Sequence, residues 1–265
     1  MRSLHAVPLF AVSSLFLVIA LGCLGIGGGK DAEDTDTDTD TDADADTDTD
    51  TDADADADTD VVPPGDGVLL YTGDGGGGPG TDLYPSEVEA IFLDAGIPVM
   101  LSATLPGGWV EDYGALVLLN PTATLSGDVA SGAASLLDRG GRLVIGFERS
   151  GWGNTTELNG LLSSLGSTMR AVGDQSSGGR AELSVQAAGG LTSGVGSLVT
   201  YYSASVDVGA EGAVSLGEDD QGVTVVGYEE LGRGDVVIVA DSSFFGYYLE
   251  QGDNTRFIEN FATLR

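Results

Sequence analysis

Six polar residues stand directly after, or in the loops beyond, segments whose apolar runs predict buried strands. Ligands of an open α/β sheet bind beyond the carboxyl ends of its strands, so side chains at these positions are the first candidates for a site. Their carboxylate, hydroxyl and amide groups suit a polar ligand, a cation held by oxygen atoms, or an acid and base pair. The candidates are Asp74, Asn120, Glu148, Ser150, Asp241 and Ser242.

A structural role is the alternative for the same residues. Asp241 and Asn120 would then hydrogen-bond neighbouring backbone at the strand ends, while Glu148 would pair with Arg149 or with solvent. Convergence expected from the fold alone is a weak argument for function, so the sequence favours the structural role for these residues.

The residue types that are absent restrict the chemistry further. The only His, Cys and Lys are His5, Cys23 and Lys30, so residues 31–265 contain no imidazole, thiol or amine side chain. This composition excludes Ser-His-Asp and Cys-His catalysis, Schiff-base chemistry and Cys/His zinc sites within that part of the chain. Carboxylates, hydroxyls, arginine and oxygen-bound Ca²⁺ or Mg²⁺ remain, and the balance leans away from an enzyme.

The chain is strongly acidic, with a formal net charge of −32. Residues 31–60 carry 16 acids and no base, and residues 61–265 carry 26 acids against 8 arginines. Such a charge repels phosphate backbones and argues against nucleic-acid binding. It attracts cations or basic partners, unless it reflects adaptation to salt, in which case it says nothing about partners.

The first 22 residues have the pattern of a bacterial export signal. Arg2 precedes a short apolar core at residues 6–20, which is too short for a transmembrane helix. Residues 20–23 (ALGC) resemble the lipobox of bacterial lipoproteins, which implies that Cys23 becomes the lipidated first residue of the mature protein. Leu24 rather than Asp after the Cys implies the outer membrane. An uncleaved anchor and an ordinary signal peptide are the alternatives.

Residues 23–62 are predicted to form a tether. Within them, residues 30–60 alternate Asp with Thr or Ala and offer no apolar face to bury. Because neighbouring charges repel, we expect an extended disordered spacer that reaches at most about 100 Å. Weak Ca²⁺ binding by the Asp ladder and O-glycosylation of the threonines are alternatives.

The remaining residues, 63–265, predict one α/β domain. Apolar runs alternate with helical patterns up to residue 166, short alternating segments follow over residues 168–231, and a last strand and helix close the chain. We expect a mostly parallel sheet with a β-rich insertion whose last strand pairs antiparallel with residues 236–240. The predicted strands are 67–72, 97–101, 115–120, 142–147 and 236–240, and the predicted helices are 85–95, 125–139, 155–165 and one beginning at Asp253 or Asn254.

The glycine-rich segment at residues 73–80 does not predict a nucleotide site. A run of glycines matches every glycine spacing, so its agreement with G-x-G-x-x-G carries no information. A dinucleotide fingerprint needs a helix that opens at once and an acid after the second strand. Here the helix begins near Pro85 and the second strand ends at Ser102, so we interpret the segment as a rim loop.

Several segments resemble the class I glutamine amidotransferase-like superfamily, in its non-catalytic branch. The resemblance covers about residues 66–265 and depends on the turn and strand at 140–145 (GGRLVI), on Asp241 and Ser242, and on residues 252–254 (GDN) before the last helix. It implies a three-layer, flavodoxin-like fold. The turn that would carry the catalytic Cys, residues 146–151, has none, so no catalytic residue is transferred and only the location of a binding surface is implied.

The aromatic residues near these segments add two expectations. Trp109 and Trp152 are predicted to lie in loops at the rim, where they would stack on a sugar or pack a hydrophobic lid. Four further aromatic residues are predicted to pack around the closing helix. These are Phe244, Phe245, Tyr247 and Tyr248.

Together these features predict a lipid-anchored protein of the bacterial cell envelope, at the outer membrane, with a non-catalytic binding or scaffold domain. Its expected partners are the membrane, through the lipid, and an envelope protein or glycan; no cofactor is expected except Ca²⁺. The alternatives are a Ca-binding envelope protein and a carboxylate-dependent hydrolase of envelope or extracellular glycans, which would need two carboxyl groups about 5–9 Å apart across an open cleft.

Overall fold

The computed structural model describes residues 64–76, 83–176, 178–209 and 212–264. The predicted signal peptide, Cys23 and the tether to residue 62 lie outside the described residues. Within the described residues, no helix is long and apolar enough to cross a bilayer.

The described residues form a mixed α/β fold. The strands are β1 (Gly67–Tyr71), β2 (Val99–Ser102), β3 (Tyr113–Leu119), β4 (Arg142–Gly146), β5 (Arg170–Val172), β6 (Arg180–Val185), β7 (Ser197–Tyr201), β8 (Ser205–Asp207), β9 (Ala213–Glu218), β10 (Thr224–Leu231) and β11 (Gly234–Val239). The α-helices are α1 (Pro85–Asp94), α2 (Trp109–Asp112), α3 (Gly127–Asp138), α4 (Thr155–Ser164) and α5 (Asn254–Glu259). Short 3₁₀ helices span Gly189–Thr192, Ser242–Phe245 and Asn260–Ala262.

Nine strands form one sheet in the order β2-β1-β3-β4-β11-β10-β9-β6-β7. The pairings from β2 to β11 are parallel, and those from β11 to β7 are antiparallel. The prediction that the insertion pairs antiparallel with β11 is therefore confirmed. The expectation of a mostly parallel sheet is correct only for the half of the sheet from β2 to β11. The insertion adds its strands to the same sheet next to β11, through a tight hairpin at Gly232, and this half is antiparallel.

The helix boundaries follow local signals in the sequence. Pro85 occupies the first turn of α1, where its missing N–H costs no hydrogen bond. Gly96 and Gly140 follow α1 and α3 with φ values of +73° and +94°. This left-handed conformation closes a helix at little cost only for a residue without Cβ.

The core lies at the centre of the sheet. Every residue of β1, β4 and β11 is buried, and β3 is buried except at Tyr113. Continuous apolar runs of this kind are expected for parallel strands that are covered on both faces. Phe244, Phe245, Phe257 and Phe261 pack edge to face or tilted against one another and fix the closing elements to this core.

One ion pair is fully buried among these apolar residues. The Arg142 Nε lies 2.5 Å from Asp235 Oδ1, and Nη2 lies 2.8 Å from Oδ2. Arg142 and Asp235 are register partners at the start of β4 and β11. The third nitrogen, Nη1, donates to the carbonyl oxygens of Asn260 and Phe261, so this pair ties the end of the chain to the amino edge of the sheet.

Candidate functional site

Asp241 lies at the carboxyl end of β11 and is fully buried. Its Oδ1 accepts hydrogen bonds from the backbone N–H and the hydroxyl of Ser243, and its Oδ2 accepts one from the backbone N–H of Tyr201 at 2.7 Å. Burial raises the pKa of Asp241 to about 7; the donors oppose this shift and the nearby charge of Glu148 adds to it. Asp241 thus joins the end of β11 to the end of β7.

Glu148 and Ser242 lie beside Asp241. The Ser242 hydroxyl donates to Glu148 Oε2 at 2.7 Å, and the backbone N–H of Arg149 donates to Glu148 Oε1 at 3.1 Å. The predicted pairing of Glu148 with Arg149 therefore involves the Arg149 backbone. The Arg149 guanidinium donates to Gln175 Oε1 instead. The structure thus brings together three of the six predicted site residues at the ends of β4 and β11.

Asn120 follows β3 and is also fully buried. Its φ of +47° is left-handed, a conformation that asparagine tolerates better than most residues. Its Nδ2 donates to the carbonyl oxygen of Trp152 at 3.2 Å, while Oδ1 is buried with no hydrogen-bond partner among the described residues. Asn120 therefore holds the loop after β4 through its Nδ2, while its own Oδ1 is an unsatisfied acceptor among the described residues.

Ser150 is exposed in the turn that follows Glu148. Its backbone N–H donates to the carbonyl oxygen of Gly173 at 2.8 Å. A Cβ at Gly173 would approach the Ser150 hydroxyl to 2.0 Å, so the two residues lie in close contact. Ser150 thus lies against the loop after β5.

Asp74, after β1, has a separate set of partners. Its Oδ2 accepts hydrogen bonds from the Tyr71 hydroxyl at 3.0 Å and from the backbone N–H of Ser126 at 3.2 Å, just before α3. Burial and the Asp74 carboxylate raise the pKa of Tyr71. Asp74, Tyr71 and Ser126 line a cavity of about 350 Å³. The predicted cluster of Asp74 with Glu148 and Asp241 is thus divided between two places along the edge.

The described residues contain no group of three or more His, Cys, Asp or Glu side chains that is arranged to hold a metal ion. Calcium binding therefore stays a prediction from the sequence.

Four tyrosines form a continuous row beside Asp241. The ring centroids of Tyr202 and Tyr201 lie 4.3 Å apart, those of Tyr201 and Tyr248 lie 5.3 Å apart, and those of Tyr248 and Tyr247 lie 5.1 Å apart. We call these four residues the tyrosine row. The Arg149 guanidinium lies over the Tyr202 ring at 5.3 Å from its centroid, which is within the range of a cation–π contact.

The tyrosine row was not predicted as a surface. Phe244 and Phe245 are buried as expected, but Tyr247 is 65% exposed and the packing role predicted for it is wrong. The adjacent pairs Tyr201-Tyr202 and Tyr247-Tyr248 were a signal for a surface in the sequence. A tyrosine in a core needs a hydrogen-bond partner for its hydroxyl, so two consecutive tyrosines suit a position near solvent better.

The two tryptophans lie in different environments. Trp152 is 49% exposed in the loop after β4, as predicted for a rim residue. Trp109 is buried and begins α2, which precedes β3, so the predicted rim position of Trp109 is wrong. A Cβ at Gly132 of α3 would approach the Trp109 ring to 2.5 Å. The missing side chain at Gly132 is what allows the Trp109 ring to pack in the core.

Residues 109–262 match the family model of DUF4350, a domain of unknown function. The chain belongs to the DUF4350 family. The match includes the tyrosine row and every predicted site residue from Asn120 to Ser242, whereas Asp74 precedes it. The DUF4350 match therefore contains the Asp241 cluster and its aromatic neighbours in one segment. No curated protein matches this chain.

Three solved structures resemble this DUF4350 protein in fold. The mmIFT52 N-terminal domain is 12% identical with a TM-score of 0.55, and the alignment covers 72% of this chain and 93% of that domain. Cytoplasmic protein STM1381 from Salmonella typhimurium LT2 is 12% identical with a TM-score of 0.55, covering 74% and 98%. Cytoplasmic protein STM3548 from Salmonella typhimurium is 10% identical with a TM-score of 0.52, covering 75% and 99%. At these identities the likeness concerns the fold alone.

Proposed function

We propose that this DUF4350 domain is the non-catalytic binding or scaffold domain of a lipid-anchored protein of the bacterial cell envelope, at the outer membrane. The observation that carries the proposal is the bonding of the candidate acids. Asp74, Glu148 and Asp241 each accept at least one hydrogen bond from the backbone of the chain itself and at least one more donor.

This bonding favours a structural role for the acids over catalysis. A general acid or base must come within hydrogen-bond reach of the proton that it transfers. Asp241 is fully buried, and both of its oxygens already bind donors from residues 201 and 243. The acids therefore hold the loops at the carboxyl edge in place, which is the requirement for a preorganised binding surface.

The resemblance to the non-catalytic amidotransferase-like branch agrees with this proposal, and the topology supports the three-layer, flavodoxin-like arrangement that it implies. From β1 the chain passes through α1 to β2 on one side, and from β3 it passes through α3 to β4 on the other side. Right-handed crossovers in opposite directions place α1 and α3 on opposite faces of the sheet.

The second candidate function is a carboxylate-dependent hydrolase of envelope or extracellular glycans. The observation in its favour is that Asp241, with its raised pKa, lies near Glu148. Two neighbouring carboxyl groups with different environments are typical of acid and base pairs. An activity assay separates the two functions, because only the hydrolase shortens its ligand.

Anchoring is tested by replacement of Cys23. The full chain is expressed in a bacterial host with an alkyne-labelled palmitate, and the label on the protein is measured together with its sedimentation with outer membranes. We expect the wild-type protein to carry the lipid label. Cys23→Ser should lose the label completely, because the lipid is attached through the Cys23 sulfur. Ser14→Ala, in the same leader, should keep the label. A wild-type protein without label would contradict the proposed anchor.

A further inference from the structure

We propose that the tyrosine row, with Arg149 and Gln175 at one end, binds a neutral glycan chain that stacks a sugar ring on the exposed Tyr247 and runs along the other tyrosines. This inference depends on the proposed function of the domain as a binding module and names its ligand class and surface. The site lies beside the Asp241 cluster, at the end of the sheet where the strands β4 and β11 terminate.

The row is built in advance of any ligand. On one side, the backbone N–H of Tyr201 is held by the buried Asp241 carboxylate. On the other side, the carbonyl oxygen of Tyr248 accepts from the buried Asn254 side chain at 2.9 Å, and its N–H donates to Ser243 at 2.9 Å. Because these anchors are buried, ordering the surface costs little when a ligand binds.

Tyr202 shows the same preorganisation at the end of the row. Its φ is +50°, which is an unfavourable region for an aromatic residue. Its N–H donates to the carbonyl oxygen of Gly179 at 3.1 Å, and Arg149 covers one part of its ring. Such a backbone conformation persists only where the surroundings fix it, and residues of this kind cluster at binding sites.

The chemical groups of the row suit sugars. Tyr247 is 65% exposed and offers an apolar ring face and a hydroxyl, so stacking and hydrogen bonding come from the same side chain. Tyr201 and Tyr248 stack on each other and support it from below the surface. Gln175 is exposed and adds an amide, while its bond from Arg149 fixes its orientation. A sugar ring presents the same combination, with apolar C–H groups on its faces and hydroxyls at its edge.

Charge favours a neutral ligand over a charged one. The acidity of residues 61–265 repels a polyanion at long range. At short range, the exposed Arg180 pairs in register with Tyr201, and its charge opposes the burial that raises the pKa of Tyr248. Arg149 already occupies the Tyr202 ring. A polycation would therefore be repelled by these two arginines. A neutral chain is repelled neither by the arginines nor by the acidic domain.

The size of the surface argues for a glycan over a protein. A stable protein interface buries about 800 Å² on each partner around an apolar centre. Among the described residues, the other large exposed apolar side chains stand singly on separate elements: Tyr84 before α1, Leu93 on α1, Met100 on β2, Trp152 in the loop after β4 and Val214 on β9. The tyrosine row thus has no broad apolar centre around it, which suits a chain of sugars better than a protein.

Affinity electrophoresis of the full chain tests the inference. The gels contain soluble β-glucan, mannan or xylan, and polygalacturonate is the acidic comparison. We expect at least one neutral glycan to retard the protein. Tyr247→Ala should weaken this binding about tenfold, since it removes the most exposed ring of the row. Tyr247→Phe keeps the ring and should retain most of the binding, and Met100→Ala, which removes an exposed apolar side chain elsewhere, should bind as the wild type does.

Each other outcome decides against the inference or against the proposed function. Migration unchanged by all three neutral glycans, retardation by polygalacturonate alone, or equal retardation of Tyr247→Ala and wild type would each overturn the inference. Self-association of the chain that Tyr247→Ala abolishes, without retardation by glycan, would assign the row to a second copy and also overturn it. Retardation with shortening of the glycan would support the row and contradict the non-catalytic function.

Discussion

Replacement of Arg142 by Met is expected to lower the free energy of unfolding by about 3–5 kcal/mol. The change removes the guanidinium and leaves the Asp235 carboxylate buried without it at the start of β11, and it also frees the carbonyl oxygens of Asn260 and Phe261. A buried charge that loses its ion-pair partner keeps its desolvation cost and loses the attraction of that partner. Urea unfolding followed by circular dichroism measures the loss.

The chain contains a matched control for this experiment. Arg256 pairs with Glu259 at 2.9 Å, but the Arg256 side chain is 52% exposed. Arg256→Met should therefore change stability by at most about 1 kcal/mol. The double change Arg142→Met with Asp235→Leu removes both buried charges and should be more stable than Arg142→Met alone. Equal losses for Arg142→Met and Arg256→Met would contradict the role of the buried pair.

The second large effect concerns pH. The folded-state pKa of Asp241 is about 7, above its ordinary value of 3.8. Between these values the folded protein holds a proton that the unfolded chain has lost, so stability decreases as pH rises through this window. The slope is about 1.4 kcal/mol per pH unit and the total is about 4 kcal/mol, with the full contribution present below pH 4. Asp241→Asn does not titrate, so the difference in stability between wild type and Asp241→Asn should decrease by this amount from pH 4 to pH 7.

Unfolding by urea at pH 4.5, 6 and 7.5 measures this difference. Asp220→Asn removes one exposed carboxylate and serves as the control for net charge. Glu148 is the ionisable group whose charge contributes to the shift of Asp241. Glu148→Gln should therefore reduce the pH dependence without abolishing it, because burial is the larger cause. A constant difference between wild type and Asp241→Asn across the three pH values would contradict the raised pKa.

Much of the fold could be predicted because its signals are local. Residues 236–239 of β11 (VVIV) are a continuous run of β-branched residues between turn signals, which favours a buried strand. The first turn of α1 and the ends of α1 and α3 are marked by Pro85, Gly96 and Gly140. By contrast, β5 and β8 have three residues each, and such strands are too short to show periodicity.

The site could be predicted only in part, for a different reason. The ends of β4 and β11 come together because parallel neighbours share an edge, so the closeness of Glu148 and Asp241 followed from the fold. Asp74 follows β1, which is separated from β4 by β3, and its carboxylate bonds the start of α3 instead. Strand order decides this separation, and strand order is not a local property of the sequence.

The tyrosine row and the Arg142 pair depend on contacts between distant segments. Tyr201 and Tyr248 are 47 positions apart and stack only because the end of β7, at the edge of the sheet, is bonded to Asp241 in the segment after β11. Arg142 and Asp235 meet because β4 and β11 are parallel neighbours in one register. No pattern within either segment specifies such a partner, so these features required the structure.

The most direct test of binding without catalysis is the recovery of a ligand after prolonged incubation. The full chain is incubated with neutral β-linked hexasaccharides of glucose, mannose and xylose, and the mass of the sugar that elutes with the protein is determined. Binding without catalysis predicts that at least one hexasaccharide elutes with the wild-type protein at unchanged mass, and that less of it elutes with Tyr247→Ala. Shortened sugars from the wild type, and intact sugars from Asp241→Asn, would contradict it and assign the domain to the glycan hydrolases.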